Sequence, residues 1–255
     1  MIQVQELTKI FDDANRGEVR ALDGVCLSIP PGTTFALLGP NGAGKTTFLR
    51  ILATLLKPTS GAVKIEGIDV AQHPIAIRRK IGYMSTDTGV YPRLTAREMI
   101  EFFAELHGMS AEEIRLRSEE IYDLLEMHDF KDAIIGKLSA GMKQKVSIAR
   151  TIIHDPPVLL FDEPTANLDV LVARAVDGFI ERCRSEEKTI ILSTHMIIEA
   201  ERLCNRLAII FDGKILHEGA PTEIKDKVGA NTLEEAFFRL IDEAKRGAAP
   251  EGTEP

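Results

Sequence analysis

The sequence predicts an α/β fold built on a phosphate-binding loop, with an antiparallel β part and a helical insertion. Three observations carry that prediction. First, the apolar run TTFALL leads directly into GPNGAGKTT, Gly39 to Thr47, and then into Phe48, Leu49, Ile51, Leu52, Leu55 and Leu56 at helical spacing. Second, DPPVLLFDEP and KTIILSTH are short, continuously apolar runs, the pattern of strands covered on both faces. Third, TAREMIEFFAELHG and AEEIRLRSEEIYDLLEMHDF, between about Leu94 and Asp129, read as two helices with no strand between them.

The remaining elements follow in order. Strands are expected around Ile2–Leu7 and Ala21–Ile29, with DDANRGE as the loop between them. KPTSG stops the helix that follows the phosphate loop, and a short strand pair is expected over Ala62–Val70. KLSAGMKQKVSIAR, Lys137 to Arg150, passes from a loop of small residues into a basic amphipathic helix, which joins the helical insertion. LAIIFDGKILHEG reads as a hairpin on Asp212–Gly213, a dipeptide that tolerates the positive φ of a tight turn. LEEAFFRLIDEAK is a last helix, and AAPEGTEP after it is expected to be disordered. The plan is a domain over 1–225, with the helical insertion at about 87–154, and a C-terminal helix and tail over 226–255.

Composition narrows the class. The 255 residues are 44% hydrophobic and carry a net charge of −8. That acidic balance argues against a nucleic-acid partner, which needs a basic face. Cys26, Cys183 and Cys204 show no metal-ligand spacing and suit a reducing compartment. The start MIQVQELTKIF lacks the layout of a signal peptide, and runs such as ALLG, VLLF and AIIF are too short to cross a bilayer. A cytoplasmic location is expected.

Two stretches carry chemistry. Gly39, Pro40, Asn41, Gly42, Ala43, Gly44, Lys45 and Thr46 fit the pattern GxxxxGK[ST] between a strand and a helix, the setting of a true phosphate loop. Its glycines let backbone amides turn toward phosphate oxygens, Lys45 places a cation at the β- and γ-phosphates, and Thr46 can ligate Mg²⁺. Thr47 starts the helix near the α-phosphate. A Gly-rich turn that merely caps a helix is the bland alternative. At the end of the strand VLLFDE, Asp162 is placed to hold Mg²⁺ through its shell, and Glu163 is free to orient or deprotonate a water. Phosphate groups and Mg²⁺ are the ligands these residues lead one to expect.

GPNGAGKTT, LSAGMKQKVSIAR, VLLFDEPTANLD and STH, in this order, resemble the ATPase subunit of ABC transporters. The resemblance covers about Ile2 to Ala220 and makes the expected phosphate ligand ATP. LSAGM stands for the family's LSGGQ, with Ala140 and Met142 as departures. It implies two chains, two copies or one copy and another ABC ATPase, packed head to tail so that each ATP lies between one phosphate loop and the partner's Ser139, Gly141 and helix start. Without it, Ser139 reads simply as an N-cap. The resemblance further implies that Asp169 lies at the dimer seam and that His195 contacts the γ-phosphate and helps hold the water. Phe11 falls where an aromatic stacks on adenine, although a lone Phe is equally a core residue. In IGYMSTDTG the family reads GYxPQ; Thr86 stands in the glutamine place, which bears on Mg²⁺ geometry and on the membrane contact.

TGVYPRLTAREMIEFFAELHGM, LSAGMKQKVSIART and LEEAFFRL resemble the group whose ATPases partner separate polytopic permeases in export. Within it the likeness is to the ATPase of sodium-efflux (Nat-type) exporters. The resemblance implies an ATP hydrolase that powers export of sodium or another small solute, peripheral on the inner face of the membrane through its permease. A soluble ABC ATPase with a non-transport role, or a weakly hydrolysing regulatory subunit, are the alternatives. Translation factors of this type carry two cassettes and the DNA-repair relatives long coiled coils, and this sequence has neither.

Overall fold

The computed structural model describes residues 1–14, 17–85, 89–165 and 170–248. Strands β1 (Ile2–Asp13), β2 (Gly17–Ile29), β4 (Ser60–Ile65) and β5 (Ile68–Asp69) form an antiparallel sheet in the order β2-β1-β4-β5. The main sheet uses β3 (Thr34–Leu38), β6 (Ile81–Met84), β7 (Val158–Asp162), β8 (Thr189–Thr194), β9 (Arg206–Phe211) and β10 (Lys214–Gly219). Its order is β10-β9-β3-β8-β7-β6, parallel except for the β9–β10 hairpin.

Helices cover both faces of that sheet, and the alternation of each central strand decides which core a residue enters. Phe35 and Leu37 of β3, with Val158 and Leu160 of β7, pack with α1 (Lys45–Leu52) and the antiparallel sheet. Ala36, Leu38, Leu159 and Phe161 face the other way, into the core shared with the helical part. Every residue of β3, β7 and β8 is buried. This explains why their sequences show no polar alternation.

The helical part consists of α3 (Ala96–Leu106), α4 (Ala111–Leu124) and α5 (Ala140–Ile152). Thr95 with Glu98 and Ser110 with Glu113 form reciprocal capping boxes, so each start is fixed by a hydroxyl and a carboxylate three residues apart. After β7, α6 (Val170–Ser185) returns the chain to β8, and α7 (Ile197–Leu203) leads to β9. At the C-terminal end, α8 (Pro221–Val228) and α9 (Leu233–Ala248) pair, and Leu233, Ala236 and Leu240 enter the helical-side core. Ala248 ends α9, and residues 249–255 of the expected tail lie outside those described.

The helix after the phosphate loop is shorter than read, ending at Leu52 before Thr54 turns to a φ of 62°, which leaves Leu55 and Leu56 outside it; three further elements differ from the sequence reading. The first hairpin is longer than expected: Phe11 pairs Val19, Asp12 pairs Glu18 and Asp13 pairs Gly17, so strand takes up part of the expected loop DDANRGE. Beyond the core only the backbone ladder persists, and hydrophobic alternation fades with burial. IGYM forms the edge strand β6, too short to register as a pattern. Pro74–Arg78 forms a one-turn helix, α2, begun by a proline in the position that needs no amide partner. The Asp212–Gly213 hairpin is as expected, with φ of 46° and 74°.

Past the end of α5, His154 stacks on His107 with ring centroids 3.5 Å apart, and its Nε2–H donates to the Ile81 carbonyl at 3.1 Å. Burial, with His107 beside it, holds the His154 pKa down at about 4 against an ordinary 6.5. The unfolded chain therefore binds a proton here that the folded chain rejects, and stability is lost as pH falls from about 6.5 towards 4. In melts across that window, His154→Phe should show a shallower loss of Tm than the wild type. Equal slopes would exclude His154 as a source of the acid sensitivity.

Candidate active site

The phosphate loop hangs from the end of β3, where the Gly39 amide donates to the Thr194 carbonyl at 3.2 Å. Ala43 N–H donates to Pro40 O at 3.2 Å and closes the turn. Gly44, the N-cap of α1, has φ of 106°, and a Cβ there would sit 2.4 Å from the Ala21 carbonyl oxygen. Glycine is required twice over, by backbone conformation and by space. No side chain caps α1, so its first-turn amides remain available to an anion. From outside, Gly213 N–H donates to Ala43 O at 3.1 Å, and Asp23 N–H donates to Gly213 O at 2.9 Å. The hairpin turn thus ties the loop to β2.

Lys45 is 5% exposed, and its Nζ donates to Gly39 O at 2.8 Å and Pro40 O at 3.1 Å. Its ammonium lies 3.5 Å from Glu163 Oε1. Burial pushes the Lys45 pKa down from its usual value, and the carboxylates of Glu163 and Asp162 oppose that. The recess in front of it, about 280 Å³, is lined by Asn41, Gly42, Thr46 and Thr47 together with Lys45 and Glu163.

The carboxylates arrive from β7. Asp162 is 1% exposed and pairs in register with Ser193. Its Oδ1 accepts from Ser193 Oγ at 2.6 Å and Thr46 Oγ1 at 3.1 Å, while Oδ2 is buried without a partner. An orphaned carboxylate oxygen beside a threonine hydroxyl fits Mg²⁺, which takes hard oxygen ligands from one or two carboxylates plus phosphate and water. Glu163 adopts a φ of 51°, which turns its side chain out of the strand. Its amide is held by Ser193, through the carbonyl at 3.1 Å and the hydroxyl at 3.2 Å. Glu163 Oε2 then meets His195 Nδ1 at 3.2 Å. Lys45, Glu163 and His195 therefore form one polar chain at the strand ends. Ser193, which orients both acids, was not singled out from the sequence; its place before Thr194 and His195 was the available signal.

The LSAGM segment, Leu138 to Met142, lies elsewhere. Ser139 caps α5, its Oγ accepting from Met142 N–H at 3.2 Å, and Gly141 is buried in the first turn. Neither residue lines the recess. From α5, Gln144 Nε2 reaches Pro164 O at 2.8 Å, next to Glu163. Phe11 stands outside the recess on β1, with the Lys9 ammonium 4.8 Å from its ring centroid. Asp169 and the rest of residues 166–169, with Thr86 and Asp87, lie outside the described residues.

The family model described as ABC transporter matches residues 22–166. The chain is similar to the ABC transporter ATP-binding protein NatA of Bacillus subtilis (strain 168), 36% identical over 94% of this chain and 98% of that protein. It is also similar to the Nod factor export ATP-binding protein I of Burkholderia thailandensis, 37% identical over 91% of this chain and 75% of that one. Among solved structures, a dimeric ATP-binding cassette in a post-hydrolysis state, bound to ADP and Pi, matches with a TM-score of 0.78 and 31% identity, covering 86% of this chain and 98% of that chain.

Gly44→Ala tests the geometry of the loop. The methyl group must displace the Ala21 carbonyl and adopt a left-handed backbone, a strain of about 1–2 kcal/mol before the clash. Titration with a fluorescent ATP analogue should show at least a roughly ten-fold loss of affinity. Unchanged affinity would mean that the loop does not hold phosphate in this conformation.

Proposed function

The chain belongs to the ABC transporter family as an ATP-hydrolysing subunit, and we propose that it powers an exporter whose membrane path is supplied by a separate permease. The observation that carries the ATP chemistry is the Lys45–Glu163–His195 chain beside the orphaned Asp162 oxygen, all at one sheet edge, and the likeness to an export ATP-binding protein supports the export role. Lys45 and the α1 amides bind the β- and γ-phosphates. Thr46 and Asp162 would hold Mg²⁺, which neutralises charge on those phosphates when bound. Glu163 accepts a proton from, or orients, the attacking water, and His195 fixes the Glu163 carboxylate and reaches toward the γ-phosphate. Catalysis here is positioning and electrostatics rather than covalent chemistry.

A single chain offers Ser139 no phosphate, which supports head-to-tail pairing with a second copy or another ABC ATPase. Capping uses an acceptor lone pair of Ser139 Oγ and leaves its O–H proton free to donate. The N-cap role and an anion contact from across an interface are therefore compatible. The Gly141 amide and the α5 start add to that donor set. Asp169 at the seam, and Phe11 against adenine, complete the proposed arrangement.

A broad cleft between the α1–β6 side and the helical part supports the permease contact. Leu55, Ile75, Tyr91 and Leu106 line it, and they are 57%, 69%, 52% and 65% exposed. Such a row of large apolar side chains marks an interaction surface. No helix among the described residues is long and apolar enough to cross a membrane. The exported substrate would be sodium or another small solute, following the resemblance of the sequence to the sodium-efflux group, and it would pass through the permease. The chain would then lie on the cytoplasmic face.

Glu163→Gln should bind MgATP within about three-fold of wild type and lose at least about a hundred-fold in turnover, read by phosphate release. Turnover near wild type would remove Glu163 from the mechanism. Ser139→Arg and Lys45→Ala should each be inactive alone, and mixing them should restore part of the activity through one intact composite site. A mixture as inactive as its components would contradict head-to-tail pairing between copies of this chain. Capture from native membranes should return a polytopic protein without its own ATPase; a purely soluble partner would contradict the transport role.

A further inference from the structure

The Glu163–His195 contact joins side chains from two different strand ends, and the sheet ladder stops just short of it. Asp162 and Ser193 are the last residues that β7 and β8 pair with each other. Beyond them Glu163 turns left-handed and the chain runs on through Pro164 and Thr165, while Thr194 ends β8, still paired with Leu38, and His195 leaves towards α7. Past the Ser193 contacts to the Glu163 amide, a second tie fixes how the two segments that carry the 3.2 Å contact stand to each other.

The tie is one buried carboxylate. Glu199 of α7 is 3% exposed, and the described ion pairs do not include it. Its Oε1 accepts from Thr165 Oγ1 at 2.5 Å, and its Oε2 accepts from Thr194 Oγ1. Thr194 Oγ1 in turn accepts from Met196 N–H at 2.9 Å, which directs its own proton to Glu199. A buried acid is costly unless hydrogen bonds compensate it, and here both oxygens are used. The two hydroxyls stand two residues after Glu163 and one residue before His195. On the opposite side, Gln144 holds the Pro164 carbonyl between them at 2.8 Å.

We infer that Glu199 is a positioning residue that bridges Thr165 and Thr194 and thereby sets the Glu163–His195 contact. It touches neither phosphate nor water and acts through the pair it spaces. The inference rests on the proposed reading of Glu163 and His195 as the groups that hold the water. Gln could accept from Thr194 only by turning its amide to donate to Thr165 Oγ1, so it would replace two charge-assisted bonds with weaker neutral ones, and an apolar residue makes neither bond.

The test compares Thr165→Val, Thr165→Ser, Glu199→Gln and Glu163→Gln by kcat, KM, ATP affinity and Tm. Thr165→Val and Glu199→Gln should lower kcat roughly ten-fold, as small misplacements of reacting groups do, with KM and ATP affinity within about two-fold. Thr165→Ser, which keeps the hydroxyl, should stay within about two-fold of wild type in kcat. The double variant Thr165→Val/Glu199→Gln should be no slower than the slower single, since both remove the same bridge. If Glu199→Gln folds poorly, the Thr165 pair alone decides. Thr165→Val at full kcat, or Thr165→Ser as slow as Thr165→Val, overturns the inference. Glu163→Gln separates the two levels: if it is inactive while Thr165→Val is normal, only the bridge fails. If Glu163→Gln itself turns over normally, the reading beneath it fails as well.

Discussion

The hydrogen-bond ladder that pairs Leu38 with Thr194 and Asp162 with Ser193 determines everything at the site. It brings three strand ends level, so that the phosphate loop, the two acids and the histidine leave the sheet along one edge. A shift of one residue would turn Asp162 to the opposite face and place Phe161 beside Thr46. The ladder is protected by burial on both faces, with Phe161 at 1% and Leu192 at 0% exposure. Truncating a residue such as Phe161 to Ala is of the class that costs about 3–5 kcal/mol. The polar groups exert their effects only because this apolar framework leaves them no freedom of register.

From that edge outward, each polar group is fixed by a different means. Gly44 is fixed by a steric demand, Lys45 by the carbonyls of Gly39 and Pro40, and Asp162 by the Ser193 and Thr46 hydroxyls. Glu163 takes its direction from a left-handed backbone held by Ser193. The bridge through Glu199 extends this logic past the last ladder bond. The signature helix enters the same network through Gln144, although its N-terminal serine lies apart from the recess.

Much of this was readable in the sequence because the strongest signals are local. The strand–loop–helix of Thr34 to Leu52 is contiguous, and so is the Asp212–Gly213 turn, whose positive φ values only a few residue types accept. The Thr95 and Ser110 helix starts carry their capping carboxylates three residues on. What escaped was non-local or weakly patterned. Glu199 looks like one more acid in MIIEAERL, because its meaning comes from Thr165, 34 residues away in the chain. Ser193 is ambiguous for the same reason. The outer half of the first hairpin and the edge strand β6 lack the alternation that burial on one face would impress on them. The distinction between Ser139 as a cap and Ser139 as an anion donor is not local either, since it depends on a second chain.

The central claim is that one chain holds two half-sites which ATP joins across an interface. Sedimentation of Glu163→Gln with ATP, and separately with ADP, tests it most directly. The account predicts that the mass doubles with ATP and stays monomeric with ADP, and that Ser139→Arg added to the same chain abolishes the doubling. A monomer under both nucleotides, with ATP demonstrably bound, would contradict the joining of two copies of this chain.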